Sequence, residues 1–142
     1  MNLETTNHLE NVRKAAANLD GVLRKTELIY SEFFSKETGN RIYIKPENLQ
    51  RTGSFKIRGA YNKVANLSEE ERAKGIIASS AGNHAQGVAL AASKMGIKST
   101  IVMPLVTPLI KVDSTKSYGA DVVLHGNIYD EAYAKADRKS VV

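Results

Sequence analysis

From Gly75 onward the chain repeats one unit, a short apolar run followed by a helix, and that alternation limits its fold more than any other feature. Gly75-Ile76-Ile77-Ala78-Ser79 reads as a strand, followed by a helix from His84 to Lys94 that is rich in small residues and ended by Met95-Gly96. Ser99-Thr100-Ile101-Val102-Met103 is the next strand, stopped by Pro104, and Leu109 to Tyr118 is the next helix, closed by Gly119. Asp121-Val122-Val123-Leu124-His125 and a helix from Tyr129 to Ala136 form the third unit. Strands of about five residues alternating with helices of about ten predict an α/β fold, a parallel sheet with helices on both faces.

Upstream the rhythm differs. Leu9, Val12, Ala16 and Leu19 share one face of a helix expected from about Asn7 to Leu19 and ended by Asp20-Gly21. Leu28, Ile29, Phe33 and Phe34 are expected in a short helical turn that stops at Gly39-Asn40. Arg41-Ile42-Tyr43-Ile44-Lys45 alternates apolar and polar like a half-buried strand, and Pro46 ends it. Glu47 to Gly53 is then a loop feeding a further helix, on which Phe55, Ala60, Tyr61 and Val64 recur at helical spacing behind Ser54 as N-cap.

Composition removes several function classes. The net charge of +5 is carried by scattered lysines and arginines, and no nucleic-acid motif accompanies them, so no nucleic-acid partner is expected. The absence of cysteine excludes disulfides, thiolate metal sites and cysteine nucleophiles. The amino terminus has no apolar signal region, and the longest uncharged run, Ser99 to Ile110, is too short to span a bilayer and carries two prolines. A cytoplasmic location with no membrane contact is the expectation. The dinucleotide fingerprint Gly-x-Gly-x-x-Gly does not occur.

Two stretches can carry chemistry. In Thr52-Gly53-Ser54-Phe55-Lys56, the lysine follows a glycine turn at the start of a helix. The partial positive charge there disfavours an ammonium and favours the neutral amine that Schiff-base chemistry with carbonyls requires. Taken alone, a lysine at such a place is usually just solvated. The second stretch, Ser79-Ser80-Ala81-Gly82-Asn83-His84, joins a strand to a helix at the carboxyl end of a parallel strand, the edge where open α/β sheets bind ligands. Free backbone N–H groups and the helix dipole make such a junction a site for a carboxylate or phosphate. Ser80 and Asn83 add donors, Gly82 admits an anion close to the backbone, and Gly87 lets the first turn pack tightly. Serine and asparagine at helix starts are more often simple caps, and a lone histidine such as His84 is more often a satisfied structural residue. His8 and His125 stand apart from it, so no metal site is expected.

Together, Ser54-Phe55-Lys56-Ile57-Arg58-Gly59-Ala60 and Ser80-Ala81-Gly82-Asn83-His84-Ala85-Gln86-Gly87 closely resemble the threonine/serine dehydratases (threonine ammonia-lyases). These are fold-type II pyridoxal-phosphate enzymes with a tryptophan synthase β-like fold. Lys45 to Gly53 and Thr115 to Ala120 fit the same family, and the resemblance runs from about Thr26 to Ala136.

The resemblance implies pyridoxal 5'-phosphate as cofactor, L-threonine and L-serine as substrates, and a place in amino-acid metabolism that includes isoleucine biosynthesis. Lys56 matches the lysine that holds the cofactor and removes the substrate α-proton, Phe55 the residue packed beside the cofactor, and Asn83 the side chain hydrogen-bonded to its ring oxygen. Ser80, Ala81, Gly82, Asn83 and His84 match the loop that grips the substrate carboxylate. Related serine racemases carry a second serine where this chain has Ala81, so elimination is expected to be favoured over racemisation.

The family's glycine-rich phosphate loop and the polar residue facing the pyridine nitrogen have no match here. The resemblance implies that residues 1–53 are an incomplete part of a large domain and 54–142 most of a small one, with a homo-oligomer formed by the full-length protein. The ending, Asp137 to Val142, has no cap or following strand. It is expected to be a cut, with non-native last residues, and the chain alone is expected to bind the cofactor weakly and turn over little.

Overall fold

The structure, a computed structural model, describes residues 8–137. Its centre is a three-stranded parallel sheet of β3 (Ile76–Ser79), β4 (Ser99–Met103) and β5 (Asp121–Leu124), in that order. Ile77 stands opposite Thr100, and Ile101 opposite Val122. Because successive side chains on a strand point to opposite faces, each strand feeds two layers. Ile76, Ala78, Ile101, Met103 and Val122 join the larger core with α3 (Lys56–Ala65), α5 (Asn83–Lys94) and α6 (Leu109–Ser117). Ile77, Val102 and Val123 face the other way, against Ala132 and Ala136 of α7 (Tyr129–Asp137). Helices on both faces explain why strands of this sheet read as continuous apolar runs.

Small residues set the spacing on the larger side. Ala85, Ala89, Ala91 and Ala92 of α5 are buried, which brings the helix close to the sheet and to α3. Ile57, Ile101 and Met103 are fully buried, each contributing about 1.5–3 kcal/mol by removal from water. Between α3 and β3 lies α4 (Glu69–Lys74), a helix the alternation did not predict. Its signal is local: Ser68 Oγ accepts from Glu71 N at 3.2 Å while Glu71 accepts from Ser68 N at 2.7 Å, a capping box.

The amino-terminal part is built differently. Helix α1 (His8–Asn18) buries none of its residues and meets α3 through a hydrogen bond from Asn18 to Asn62. The helical turn expected over Leu28 to Phe34 is instead split. Ile29–Tyr30 is a strand, β1, paired antiparallel with β2 (Tyr43–Ile44), and α2 (Glu32–Thr38) starts only after Ser31. Ser31 holds an extended backbone and its side chain accepts from Phe34 N, so the cap fixes where the helix begins. The Arg41–Lys45 strand is thereby shortened to two residues, and a 3₁₀ turn (Glu47–Leu49) follows it. Asn7 and residues 138–142 lie outside the described residues, and Asp137, expected beyond the last helix, is its final residue. Among the described residues no helix is long and apolar enough to cross a membrane.

Candidate active site

The loop from Lys45 to Gly53 is fastened before it reaches Lys56. Lys45 Nζ donates to the Thr26 carbonyl at 2.7 Å, and Arg51 Nε donates to the Val22 carbonyl at 2.7 Å. The buried Gln50 side chain donates to the Arg24 carbonyl and accepts from Arg24 N, both at 2.9 Å. Tyr118, which the sequence marks only as an aromatic, donates its hydroxyl to the Arg51 carbonyl from α6's end.

A charged node completes the fastening. Arg58 Nε and a terminal guanidinium nitrogen donate to the two Glu47 oxygens at 2.9 and 2.7 Å, and Thr26 Oγ1 donates to Glu47 at 2.6 Å. The Arg58 hydrogen bond is the main reason the Glu47 carboxyl drops from the ordinary 4.5 to about 2, and burial works against it. This bidentate pair joins the loop to the helix that begins with Lys56.

At the start of α3, Phe55 already has helical backbone angles and carries no side-chain cap. Ser54 Oγ accepts from Lys56 N at 3.4 Å, so the predicted cap acts from one residue further back. Lys56 is exposed, with Nζ 5.0 Å from the centre of the Phe55 ring. Among the described residues that amine has no carboxylate partner.

The second stretch meets the first through backbone. A Cβ built on Gly87 would lie 3.1 Å from the Lys56 carbonyl carbon and from Ile57 N. The first turn of α3 and the second turn of α5 therefore approach main chain to main chain, at a separation that favours glycine. The contact brings the lysine helix and the Ser80–His84 junction to one edge of the sheet. His84 registers it: burial first, and then the positive charge of Lys56, hold its imidazole below the ordinary 6.5.

The α5 tip is a cap with two vacancies. Ser80 Oγ accepts from Gly82 N at 3.3 Å and from Ala85 N at 3.2 Å, so its oxygen serves the helix. The N–H groups of Asn83 and His84 take no protein partner among the described residues. Gly82 has no side chain to shield them, and Ala81 adds only a methyl group. The tip thus offers backbone donors at the positive end of a helix dipole, suited to a carboxylate.

Sequence reasoning missed one residue here. Lys111, in the first turn of α6, donates from Nζ to Asn83 Oδ1 at 3.0 Å. The β4–α6 connection leaves the same sheet edge as the β3–α5 junction, and only that topology brings the two residues together. A cleft of about 980 Å³ runs past His84 between α3 and the free side of β3, lined by Ala60, Val64, Ile76 and Ala78. Among the described residues no three His, Asp or Glu side chains form a metal-ligand group.

The arrangement gathers at one sheet edge an amine that can react with a carbonyl, a side-chain amide that can donate, and backbone donors that suit an anion. Lys56, Asn83 and the two free amides supply those groups. Residues 19–140 match the family model described as pyridoxal-phosphate dependent enzyme. The L-threonine ammonia-lyase of Thermotoga maritima is 59% identical over 130 residues, 92% of this chain and 32% of that protein. The processed form of threonine deaminase isoform 2 from Solanum lycopersicum superimposes with a TM-score of 0.82 at 43% identity, over 92% of this chain and 38% of that one. Maize serine racemase superimposes with a TM-score of 0.85 at 33% identity, over 92% and 40%. The chain spans about a third of the length of the curated relatives it matches.

Proposed function

The chain belongs to the pyridoxal-phosphate dependent enzymes and has their fold-type II architecture, and we propose that it is the amino-terminal part of a threonine ammonia-lyase. The parent reaction removes the β-hydroxyl and amino groups of L-threonine to give 2-oxobutanoate, the keto acid used in isoleucine biosynthesis, and ammonia. L-serine gives pyruvate by the same route. The observation that carries this reading is the backbone contact at Gly87, which sets the start of the Lys56 helix against an α5 tip with free amides.

Pyridoxal phosphate, when bound, supplies an electron sink for charge developing at the substrate Cα. The chain's own residues do the rest. Lys56 holds the cofactor through Nζ and then takes the α-proton on the same nitrogen. Phe55 and Asn83 would help hold the cofactor, Phe55 through its aromatic face and Asn83 by donating to an acceptor oxygen. The amides of Asn83 and His84 hold the substrate carboxylate, with Ser80 keeping the tip in shape and Gly82 leaving it open. The lowered basicity of His84 keeps its imidazole neutral at pH 7, so it contributes a polar contact rather than a charge. Ala81 places no hydroxyl on the opposite side of the site. Elimination is therefore favoured over racemisation, and Ala81→Ser in the full-length enzyme should gain measurable serine racemisation.

We further assign residues 1–53 to a larger domain and 54–142 to most of a smaller one, in a cytoplasmic homo-oligomer that binds neither nucleic acid nor membrane. The exposed apolar residues of the amino-terminal part support the first assignment. Borohydride reduction in the presence of pyridoxal phosphate, followed by peptide mapping, tests the central reading. A label on Lys56 is expected; labelling of other lysines with Lys56 untouched would overturn it.

A further inference from the structure

Lys111 is absent from every role given above, yet it touches Asn83 directly. An ammonium has three donors and no acceptor, so only the carbonyl end of an amide can face it. With Oδ1 held at 3.0 Å by Lys111, the amide is kept from turning over and its N–H pair stays free to donate to a ligand. Asparagine is otherwise ambivalent, able to present an acceptor or a donor by turning over.

We propose that Lys111 is a positioning residue which fixes Asn83 as a donor, so that the site accepts a ligand atom bearing negative charge and refuses one bearing a hydrogen. The inference rests on the reading of Asn83 as the contact to the cofactor ring oxygen. Its geometry comes from the sheet. Lys111 stands in the first turn of α6, whose start is tied by Thr107 N donating to the Pro104 carbonyl, and Asn83 opens α5 on the neighbouring strand. The other titratable groups named near the tip are the Lys56 amine and the His84 imidazole. Among the described residues neither is hydrogen-bonded to the Asn83 side chain, and Lys111 is the partner that orients it.

The test uses the full-length holoenzyme at fixed pH and reads the ratio of visible to near-ultraviolet absorbance of the bound cofactor, with cofactor content measured alongside. A donor held against the ring oxygen favours its anionic form, which absorbs in the visible. Asn83→Ala should lower the ratio by roughly tenfold or more, the size expected for loss of a hydrogen bond to a charged acceptor. Lys111→Met should lower it in the same direction by about twofold or more. Lys111→Gln should behave like Met, because glutamine can present either end, whereas Lys111→Arg, again donor-only, should keep the wild-type ratio. The double variant should fall no further than Asn83→Ala alone.

A normal ratio in Lys111→Met beside a lowered one in Asn83→Ala overturns the role of Lys111 and leaves the reading of Asn83 intact. An unchanged ratio in Asn83→Ala overturns both. Failure of arginine to restore the ratio, or additive loss in the double variant, also counts against the proposal.

Discussion

The sheet unit and the amino-terminal part cohere by different means. Every buried hydrophobic residue among those described lies at or after Ile57, whereas before position 54 the buried residues are Thr26, Ser35, Gln50 and Thr52, all polar. Over the same amino-terminal stretch Leu28, Ile29, Phe33, Phe34, Tyr43 and Ile44 stand exposed. One region is therefore held by apolar packing in two layers. The other is held by hydrogen bonds that converge on the loop leading to Lys56. What its apolar side chains do not contribute to stability, its polar ones contribute to the placement of one helix start.

That contrast can be broken most directly by truncating one side chain from each region. Ile101→Ala should cost about 2–5 kcal/mol in urea unfolding, because it empties a fully enclosed site between sheet and helices. Phe33→Ala, at a side chain 69% exposed, should stay within about 0.5 kcal/mol. Equal losses would erase the distinction. Next in size is Gly87→Ala, whose added methyl would press on the backbone of Lys56 and Ile57 at 3.1 Å. It should cost about 1–3 kcal/mol and lower the yield of cofactor reduced onto Lys56, since neither backbone can yield without moving the helix start.

Glu47→Gln probes the polar means of cohesion. The pair with Arg58 is half-buried, so its loss should cost about 1–2 kcal/mol at pH 7, between the values for exposed and enclosed pairs. Glu47 binds its proton less readily when folded, so its contribution is complete above about 4.5 and is lost as pH falls towards about 2. Wild type and variant should therefore converge over that interval in acid unfolding curves. The smallest effect concerns His84. Lys56→Gln should raise its NMR titration midpoint while leaving it below 6.5, because burial outweighs the lysine's charge. No movement at all would mean that the two residues do not sense each other.

How far this was legible follows from the range of each signal. The three strand–helix units carry their own punctuation in Gly96, Pro104 and Gly119, and their strands appear within a residue of expectation. The strand β2 was legible in the alternation of Arg41 to Lys45, whereas its partner β1, only two residues long, left no periodicity to read. Helix α4 was legible in Ser68-x-x-Glu71, a cap spacing the strand–helix rhythm obscures. At the site, Lys56, Asn83 and Gly87 stood out because each does something local to a helix start. Lys111 did not, because nothing local to α6 requires it; it reaches Asn83 only through the order of strands in the sheet.

The join at Gly87 also bears on how such a protein can change. Because α3 and α5 are aligned by a main-chain approach as well as by the buried side chains around it, exposed positions beside the site can mutate and retune selectivity without unseating the reactive nitrogen. Drift is thereby permitted at those exposed positions and resisted at Gly87, where an added methyl would push on the backbone of Lys56 and Ile57.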